Sequence, residues 1–364
     1  MPIEIGERIR FHLGPDSVAP GLDDLEAAII AFIDKATKRL DIAVQELESR
    51  PILEAILRAE IERKVQVRMV LEADYLVANR RPETVADAFE SAGAHEENRL
   101  LAAAALRSTI WLRSDFNPRI FHQKFIIRDG EAVLTGSTNF TPTGVGRAAQ
   151  GGNLNHILTV ESKEIARIYS REFTDIAKGN FGRESTQSPH PPEIVVDGVR
   201  FKICFAPEHN PEMEIAKRIN KAMRRIDFAI FTFSQSSAID DAMEMAMRAG
   251  VEITGALDGM QGNQTWAPTR ELIRRGANLA RVGKVHGLVN KLHHKMLVVD
   301  EATLVVGSFN YTGPANLVND ENIVVITSDD ERGAALPLIR AARAEIGRII
   351  ADHGAPFQFD EISG

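Results

Sequence analysis

The chain has 364 residues, 44% of them hydrophobic, and this length is enough to bury two cores. Its formal net charge of −8 argues against a broad basic surface for nucleic acid, so any such contact is expected to be local. A single cysteine, Cys204, excludes an intramolecular disulfide and a zinc site built from cysteines.

Strands and helices alternate through the first half of the chain. Apolar patterns predict buried strands at residues 8–13, 40–47 and 65–71, and amphipathic patterns predict helices at residues 22–38 and 51–63. This alternation is typical of an α/β fold, with a mixed or mostly parallel sheet flanked by helices.

A group of polar residues follows in the segment HQKFIIRDGEAVLTGSTN, residues 122–139. His122 and Lys124 are two positions apart, so on a strand their side chains face the same side. The Asp-Gly pair in this segment predicts a two-residue hairpin turn, after which a second strand returns. That strand ends in Gly-Ser-x-Asn, which is expected to place Ser137 and Asn139 near His122 and Lys124.

The second half of the chain repeats the first. Residues 198–207 match residues 6–15, and residues 225–230 match residues 39–44. The repeat therefore covers whole domains and not only a motif.

Two tandem domains related by a pseudo-twofold axis are predicted from this repeat. We expect an N-terminal domain over residues 1–183 and a C-terminal domain over residues 195–364. The segment between them, residues 184–194, is rich in Pro, Ser and charge and is predicted to be the linker.

The second copy of the polar segment, HHKMLVVDEATLVVGSFN, supplies His293, Lys295, Ser308 and Asn310. The neighbouring His294 is predicted to face the opposite side of the strand. Two imidazoles and two ammonium groups in one site are what attack on a phosphodiester by a side-chain nucleophile requires.

The doubled H-x-K-x4-D with G-S-x-N resembles the phospholipase D superfamily, and in particular its bacterial nuclease-like members. Members of that superfamily are phosphodiesterases, transphosphatidylases and nucleases that work without a metal, so the resemblance implies no cofactor. It also implies that His122 is the nucleophile, which forms a phosphohistidine, and that His293 is the general acid and base. The groups implied to hold the phosphoryl oxygens are Lys124, Lys295, Asn139 and Asn310, with Ser137 and Ser308.

Acidic residues complete the candidate catalytic set. Asp129 and Asp300 belong to it by the motif, but each sits where a hairpin turn favours Asp, so a structural role is at least as plausible. The family places a supporting acid after each G-S-x-N; Glu321 fills that place in the second half, whereas Asn155 fills it in the first. The two histidines are therefore expected to be unequal, although the sequence does not indicate which one Glu321 supports.

The substrate is left between two classes. We favour an endonuclease acting on DNA or RNA, and the alternative is a phospholipase or phosphatidyl transferase acting on phospholipid headgroups. No apolar run is long enough to cross a bilayer and no apolar signal segment begins the sequence, so a cytoplasmic location is expected. One chain can complete the site by itself, and the oligomeric state is open. Candidate substrate-binding residues are Arg113, Arg119, Lys284, His286, Lys291 and Trp266.

Overall fold

The computed structural model describes residues 1–72, 84–86, 96–115, 119–185, 188–283, 288–329 and 332–359. Its strands are β1 Ile3–Ile5, β2 Ile9–Gly14, β3 Arg39–Val44, β4 Gln66–Glu72, β5 Trp111–Asp115, β6 Lys124–Arg128, β7 Ala132–Gly136, β8 Gly152–Glu161, β9 Ile194–Val196, β10 Val199–Ala206, β11 Arg225–Ile230, β12 Glu252–Asp258, β13 Asn278–Val282, β14 Val289–Leu292, β15 Lys295–Val299, β16 Thr303–Gly307, β17 Glu321–Ser328 and β18 Ala355–Pro356. Its α-helices are α1 Leu25–Asp34, α2 Arg50–Ile61, α3 Glu96–Leu106, α4 Pro142–Val145, α5 Lys163–Lys178, α6 Pro211–Ile219, α7 Ile239–Arg248, α8 Gly259–Gly262, α9 Thr269–Arg274, α10 Gly313–Leu317 and α11 Leu336–His353.

Two mixed sheets carry the same strand order. The first sheet runs β1-β2-β8-β7-β6-β3-β4-β5, and the second runs β9-β10-β17-β16-β15-β11-β12-β13 with β18 at its edge. In each sheet three neighbouring strands on one side of the His-Lys hairpin pair in parallel, β3-β4-β5 in the first sheet and β11-β12-β13 in the second. The hairpin itself, and its pairing with the strands on either side, is antiparallel. The predicted α/β class with two pseudo-twofold halves is confirmed, with more antiparallel pairing than the alternation of strands and helices suggested.

The ends of the elements follow local hydrogen bonding. Helix α1 begins after Asp24, whose carboxylate accepts the N–H of Ala27, and is shorter than the predicted helix over residues 22–38. Helix α5 ends at Gly179, which adopts the left-handed conformation with φ 100°. In the first hairpin the N–H of Glu131 donates to the carbonyl of Arg128, and Asp129 and Gly130 both have positive φ, so the predicted Asp-Gly turn is present. Strand pairing resumes at Arg128 and Ala132.

The two halves interlock. Strand β14 of the second half pairs in parallel with β8 of the first sheet, and on the other side Phe121 forms a bridge with Asp320. Each half has a core of its own, but a third cluster contains buried side chains from both. In that shared core the rings of Tyr169 and Phe205 meet edge to face at 5.2 Å. We therefore propose the division at residues 184–194 as a boundary of sequence repeats, within one cooperative molecule.

The single cysteine, Cys204, is buried in β10, where burial raises the pKa of its thiol to about 12. Among the described residues, none of the helices is both long enough and apolar enough to cross a membrane.

Candidate active site

The two His-Lys motifs come together where the two halves meet, and each histidine is hydrogen-bonded to a residue of the opposite half. His122, just before β6, has its Nδ1 2.7 Å from Oε2 of Glu321 in the other half. His293, just before β15, has its Nδ1 2.9 Å from Oδ1 of Asn155, again in the other half. Each histidine is only 7% exposed. Glu321 is thus hydrogen-bonded to the imidazole of His122, and the amide of Asn155 to that of His293.

The strand that leads to each histidine is anchored in the same way. The N–H of Phe121 donates to the carboxylate of Glu72 at the end of β4, and that of Leu292 donates to Asp258 at the end of β12. The backbone N–H of each histidine then donates to a carbonyl of the opposite half at 3.0 Å. These bonds fix both imidazoles at the seam between the halves.

The glycines of the two Gly-Ser-x-Asn segments allow a close approach of strands. A Cβ on Gly136 would lie 2.2 Å from the carbonyl oxygen of His156, and one on Gly307 would lie 2.3 Å from that of Asn322. No side chain fits at either position. The following serine is thereby pressed against the next strand in each half.

These serines orient the groups behind the histidines. Ser308 Oγ accepts the N–H of Asn322 and donates to Glu321 Oε2 at 2.6 Å, so its one hydrogen is committed to the carboxylate. Ser137 Oγ does the same for Asn155 Oδ1 at 2.8 Å. The expectation that the serine hydroxyls hold phosphoryl oxygens does not agree with this geometry, because their hydrogens point away from the site.

The same bonds determine the tautomers of the imidazoles. Asn155 donates its Nδ2 hydrogens to the carbonyls of Gly144 and Asn153, so its Oδ1 faces His293 as an acceptor. Glu321 Oε2 likewise accepts from Ser308 and faces Nδ1 of His122. Each histidine therefore carries its hydrogen on Nδ1 and keeps a lone pair on Nε2.

The two lysines are buried beside the histidines. Lys124 Nζ donates to the carbonyl of His122 at 2.9 Å and to Gln45 Oε1 at 3.0 Å. Lys295 Nζ donates to the carbonyl of His293 at 2.9 Å and lies 5.2 Å from the centre of the Phe231 ring. The two motif asparagines contact the same neighbourhood: Asn139 donates to Glu46, and Asn310 accepts the N–H of Thr232.

Burial dominates the acid–base properties of the site. It lowers the pKa of Lys124 to about 8, and it lowers that of Lys295 well below its ordinary value with help from the charge of Lys124. It also lowers the pKa of both histidines, and the two ammonium groups lower it further. Burial raises the pKa of Glu321 to about 8, although both lysines oppose that shift. Burial therefore favours the uncharged form of each of these groups while the site is empty.

Asp129 and Asp300 lie outside this cluster. The carboxylate of Asp129 accepts the backbone N–H groups of Thr37, Lys38 and Arg39, and that of Asp300 accepts those of residues 223–225. Both stand in the hairpin loops, at the end of β6 and β15 remote from the histidines. We propose that they clamp the hairpin to the start of β3 or β11, and we remove them from the catalytic set.

The candidate substrate-binding residues lie in different surroundings. Lys291 is exposed, and its Nζ lies 5.6 Å from the Phe231 ring, beside the site. Arg113 donates to the carbonyl of Ala177 at the end of α5, so its guanidinium serves the fold. Trp266 is 39% exposed in the loop before α9, and Arg119 is exposed. Lys284 and His286 lie outside the described residues.

Four residues next to the cations escaped the sequence prediction. Gln45 and Glu46 follow β3, and Phe231 and Thr232 follow β11, at equivalent places in the two halves. The matched segments at residues 39–44 and 225–230 pointed to these positions, because the two residues after each segment end at the same edge of their sheets. Their different chemistry breaks the symmetry of the site.

Comparison with known proteins places the chain in a family. The family model described as Cardiolipin synthase, PLD-like domain matches residues 29–177 and 215–341, one copy in each half. The chain belongs to the phospholipase D superfamily. Among the described residues of this superfamily member, no three His, Cys, Asp or Glu side chains are grouped so that they could hold a metal ion.

Curated relatives are similar in sequence to part of this chain. Phospholipase D from Rickettsia conorii is 29% identical over 131 residues, which are 36% of this chain and 63% of that protein. Mitochondrial cardiolipin hydrolase from Xenopus laevis is 27% identical over 154 residues, 42% of this chain and 61% of that protein. The chain thus spans less than two thirds of the length of these relatives.

A solved structure resembles nearly the whole chain. Phosphatidylserine synthase from Haemophilus influenzae aligns over 98% of this chain and 88% of that chain, with a TM-score of 0.65. Its identity of 13% makes this a likeness of fold.

Proposed function

We propose that this member of the phospholipase D superfamily hydrolyses phosphodiesters without a metal ion, through a phosphohistidine on His122. The observation that carries the assignment is the unequal support of the two imidazoles. A carboxylate behind His122 makes its Nε2 the better nucleophile and stabilises the positive charge that forms on the ring when it bonds to phosphorus. The amide behind His293 orients the ring without that stabilisation, so its protonated form is the stronger acid.

The reaction then proceeds in two balanced steps. The lone pair on Nε2 of His122 attacks phosphorus, the bond from phosphorus to the departing alcohol oxygen breaks, and that oxygen takes the proton from Nε2 of His293. A water molecule then attacks phosphorus and gives its proton to His293. The P–N bond breaks, and its electron pair returns to His122.

Lys124 and Lys295 stabilise the charge on the non-bridging oxygens, together with the amides of Asn139 and Asn310. Because burial lowers the pKa of both lysines, the phosphate anion is expected to draw protons into the site as it binds. The same anion favours the protonated form of His293 that the first step consumes.

For the substrate we propose a nucleic acid strand. The support is the exposed ammonium of Lys291 beside the half-buried ring of Phe231, a cation and a stacking surface next to the reacting groups. A phospholipid is the second candidate, because the matching family model is described by a cardiolipin synthase and the relatives are named for phospholipid hydrolysis.

Cleavage assays in excess EDTA test both parts of the proposal. Single-stranded and duplex DNA, RNA, and vesicles of phosphatidylcholine or cardiolipin are incubated with the wild type and with His122→Ala and His293→Ala. We expect chelator-resistant cleavage of nucleic acid that both variants lose. Turnover of vesicles alone would reassign the substrate, and full activity of His122→Ala would overturn the mechanism.

A further inference from the structure

The two sides of the site differ in charge and polarity at equivalent positions. On the His122 side, Gln45 accepts a hydrogen bond from Lys124, and the carboxylate of Glu46 accepts one from Asn139. On the His293 side, the equivalent positions hold Phe231 and Thr232. An amide and a carboxylate thus face an aromatic ring and a hydroxyl across the pseudo-twofold axis.

The ring of Phe231 touches the groups that would serve the departing alcohol. Its centre lies 5.1 Å from that of the His293 imidazole, at an interplanar angle of 54°. The ammonium groups of Lys295 and Lys291 lie 5.2 and 5.6 Å from the same ring. Its backbone N–H is held by the carbonyl of His294, so the ring is fixed to the strand that carries His293.

In-line displacement at phosphorus sets the entering and departing groups on opposite sides. With His122 entering, the departing alcohol lies beside His293 and therefore beside Phe231. A flat apolar ring stabilises a flat group stacked on it, and the exposed Lys291 ammonium attracts an anion just beyond. On the other side the Glu46 carboxylate would repel a further phosphate.

We infer that the diester binds in one orientation, with a departing nucleoside stacked on Phe231 and the next phosphate of the strand held by Lys291. This inference rests on the proposed phosphodiesterase mechanism and adds a subsite to it. The subsite binds the base and the next phosphate of the departing nucleoside. The retained nucleoside lies near Glu46 and needs no further phosphate.

Short thymidine diesters separate these contributions. TpT has no terminal phosphate, whereas pTpT and TpTp carry one at opposite ends. The products show which nucleoside departed. We expect the phosphate on the departing nucleoside to raise kcat/KM by about three- to fivefold at low ionic strength, and the phosphate on the retained one to give no gain. Lys291→Gln should abolish that gain, whereas Lys163→Gln, an equal change of charge in α5 beside Glu131, should keep it.

The ring is tested by a ratio within one protein. Thymidine methyl phosphate, from which methanol departs, and TpT are compared for the wild type and for Phe231→Leu, which keeps apolar bulk without a flat face. We expect Phe231→Leu to lower kcat/KM for TpT about tenfold relative to the methyl ester. Both diesters are measured with the same preparation of each protein. Partial unfolding of a variant lowers both kcat/KM values equally, so it leaves their ratio unchanged.

The outcomes against the inference are distinct from those against the mechanism. A gain from phosphate on the retained nucleoside, or equal losses for both diesters in Phe231→Leu, overturns the subsite while hydrolysis by His122 stands. Turnover of phospholipid vesicles without turnover of any nucleoside diester also overturns it. Absence of His122-dependent turnover of every diester would overturn the proposed function itself.

Discussion

Glu321 and Asn155 occupy equivalent places behind His122 and His293, and only Glu321 can carry a charge. Replacing a carboxylate by an amide at these places, or the reverse, changes the charge of the side chain but hardly changes its shape. Glu321→Gln should lower the maximal kcat/KM about 10- to 100-fold. It should also move the acid limb of the pH profile to lower pH, because the protonated ring of His122 loses the carboxylate with which it forms an ion pair.

The matched variant is Asn155→Asp, which gives His293 a carboxylate. The pKa of His293 then rises, so the alkaline limb, where the general acid is lost, should move to higher pH. Both pH profiles of kcat/KM are measured over the range in which the fold is intact. An acid limb that stays in place in Glu321→Gln would remove Glu321 from the support of the nucleophile.

The buried lysines lead to a second prediction at this scale. Burial lowers the pKa of Lys124 to about 8 and that of Lys295 well below its usual range. A bound anion is expected to restore both charges. Binding of tungstate or vanadate should therefore take up on the order of one proton near pH 8, and its affinity should fall as the pH rises further.

Calorimetry in buffers of different ionisation enthalpy measures that proton uptake. Lys295→Met should reduce both the uptake and the affinity, whereas Lys163→Met should change neither. Binding without proton exchange, and with one affinity on both sides of pH 8, would mean that both lysines are already charged in the free site.

At the scale of elements, the hairpin loops depend on Asp129 and Asp300. The carboxylate of Asp129 accepts three backbone N–H groups at 2.7 to 2.9 Å, and Asp129 itself has a positive φ of 56°. Asp129→Ala loses these bonds in a backbone conformation that alanine disfavours, so we expect a loss of about 2–3 kcal/mol in the free energy of unfolding.

Urea denaturation measures this loss, with Asp129→Asn as the milder control because Asn tolerates the left-handed conformation. These bonds also lower the pKa of Asp129 in the fold, so its contribution is present above the pKa of the unfolded chain and is lost as the pH falls through the folded value. A folded Asp129→Ala protein with more than a tenfold lower kcat would return Asp129 to the chemistry.

The sequence predicted the strands and hairpins well, but it did not predict the contacts between the two halves. The duplicated His-Lys hairpins and the strands at residues 39–44 and 225–230 could be predicted from pattern alone. The hydrogen bond between His122 and Glu321 could not, because residues 199 apart in the chain meet only when the two halves pack together. The role of Phe231 was missed for the same reason: on its own strand it is an ordinary apolar residue.

At the scale of the whole molecule, the two halves share buried contacts that neither could satisfy alone. Asn322 of the second half donates to Gln123 and accepts hydrogen bonds from Thr135 and Tyr169 of the first. The shared core adds Phe205 against Tyr169. Such an interface is closer to a divided domain core than to a contact between mobile domains.

The two tryptophans allow that unity to be tested, since Trp111 lies in the first half and Trp266 in the second. The variants Trp111→Phe and Trp266→Phe each leave one reporter, and their fluorescence transitions in urea should coincide. Phe205→Ala, added to each, should shift both transitions together by about 3–4 kcal/mol. Separate midpoints, or a shift of the second-half reporter alone, would mean that the halves unfold independently.

The covalent joining of two copies has a consequence for how such a site can change. In a symmetric pair of identical chains, every substitution appears on both sides of the axis at once. Here a single mutation alters one side only, which is how Gln45 can face Phe231 and Glu321 can face Asn155 across the same centre. A site for a molecule with two unlike ends gains from that freedom, because each side can be adapted to one end.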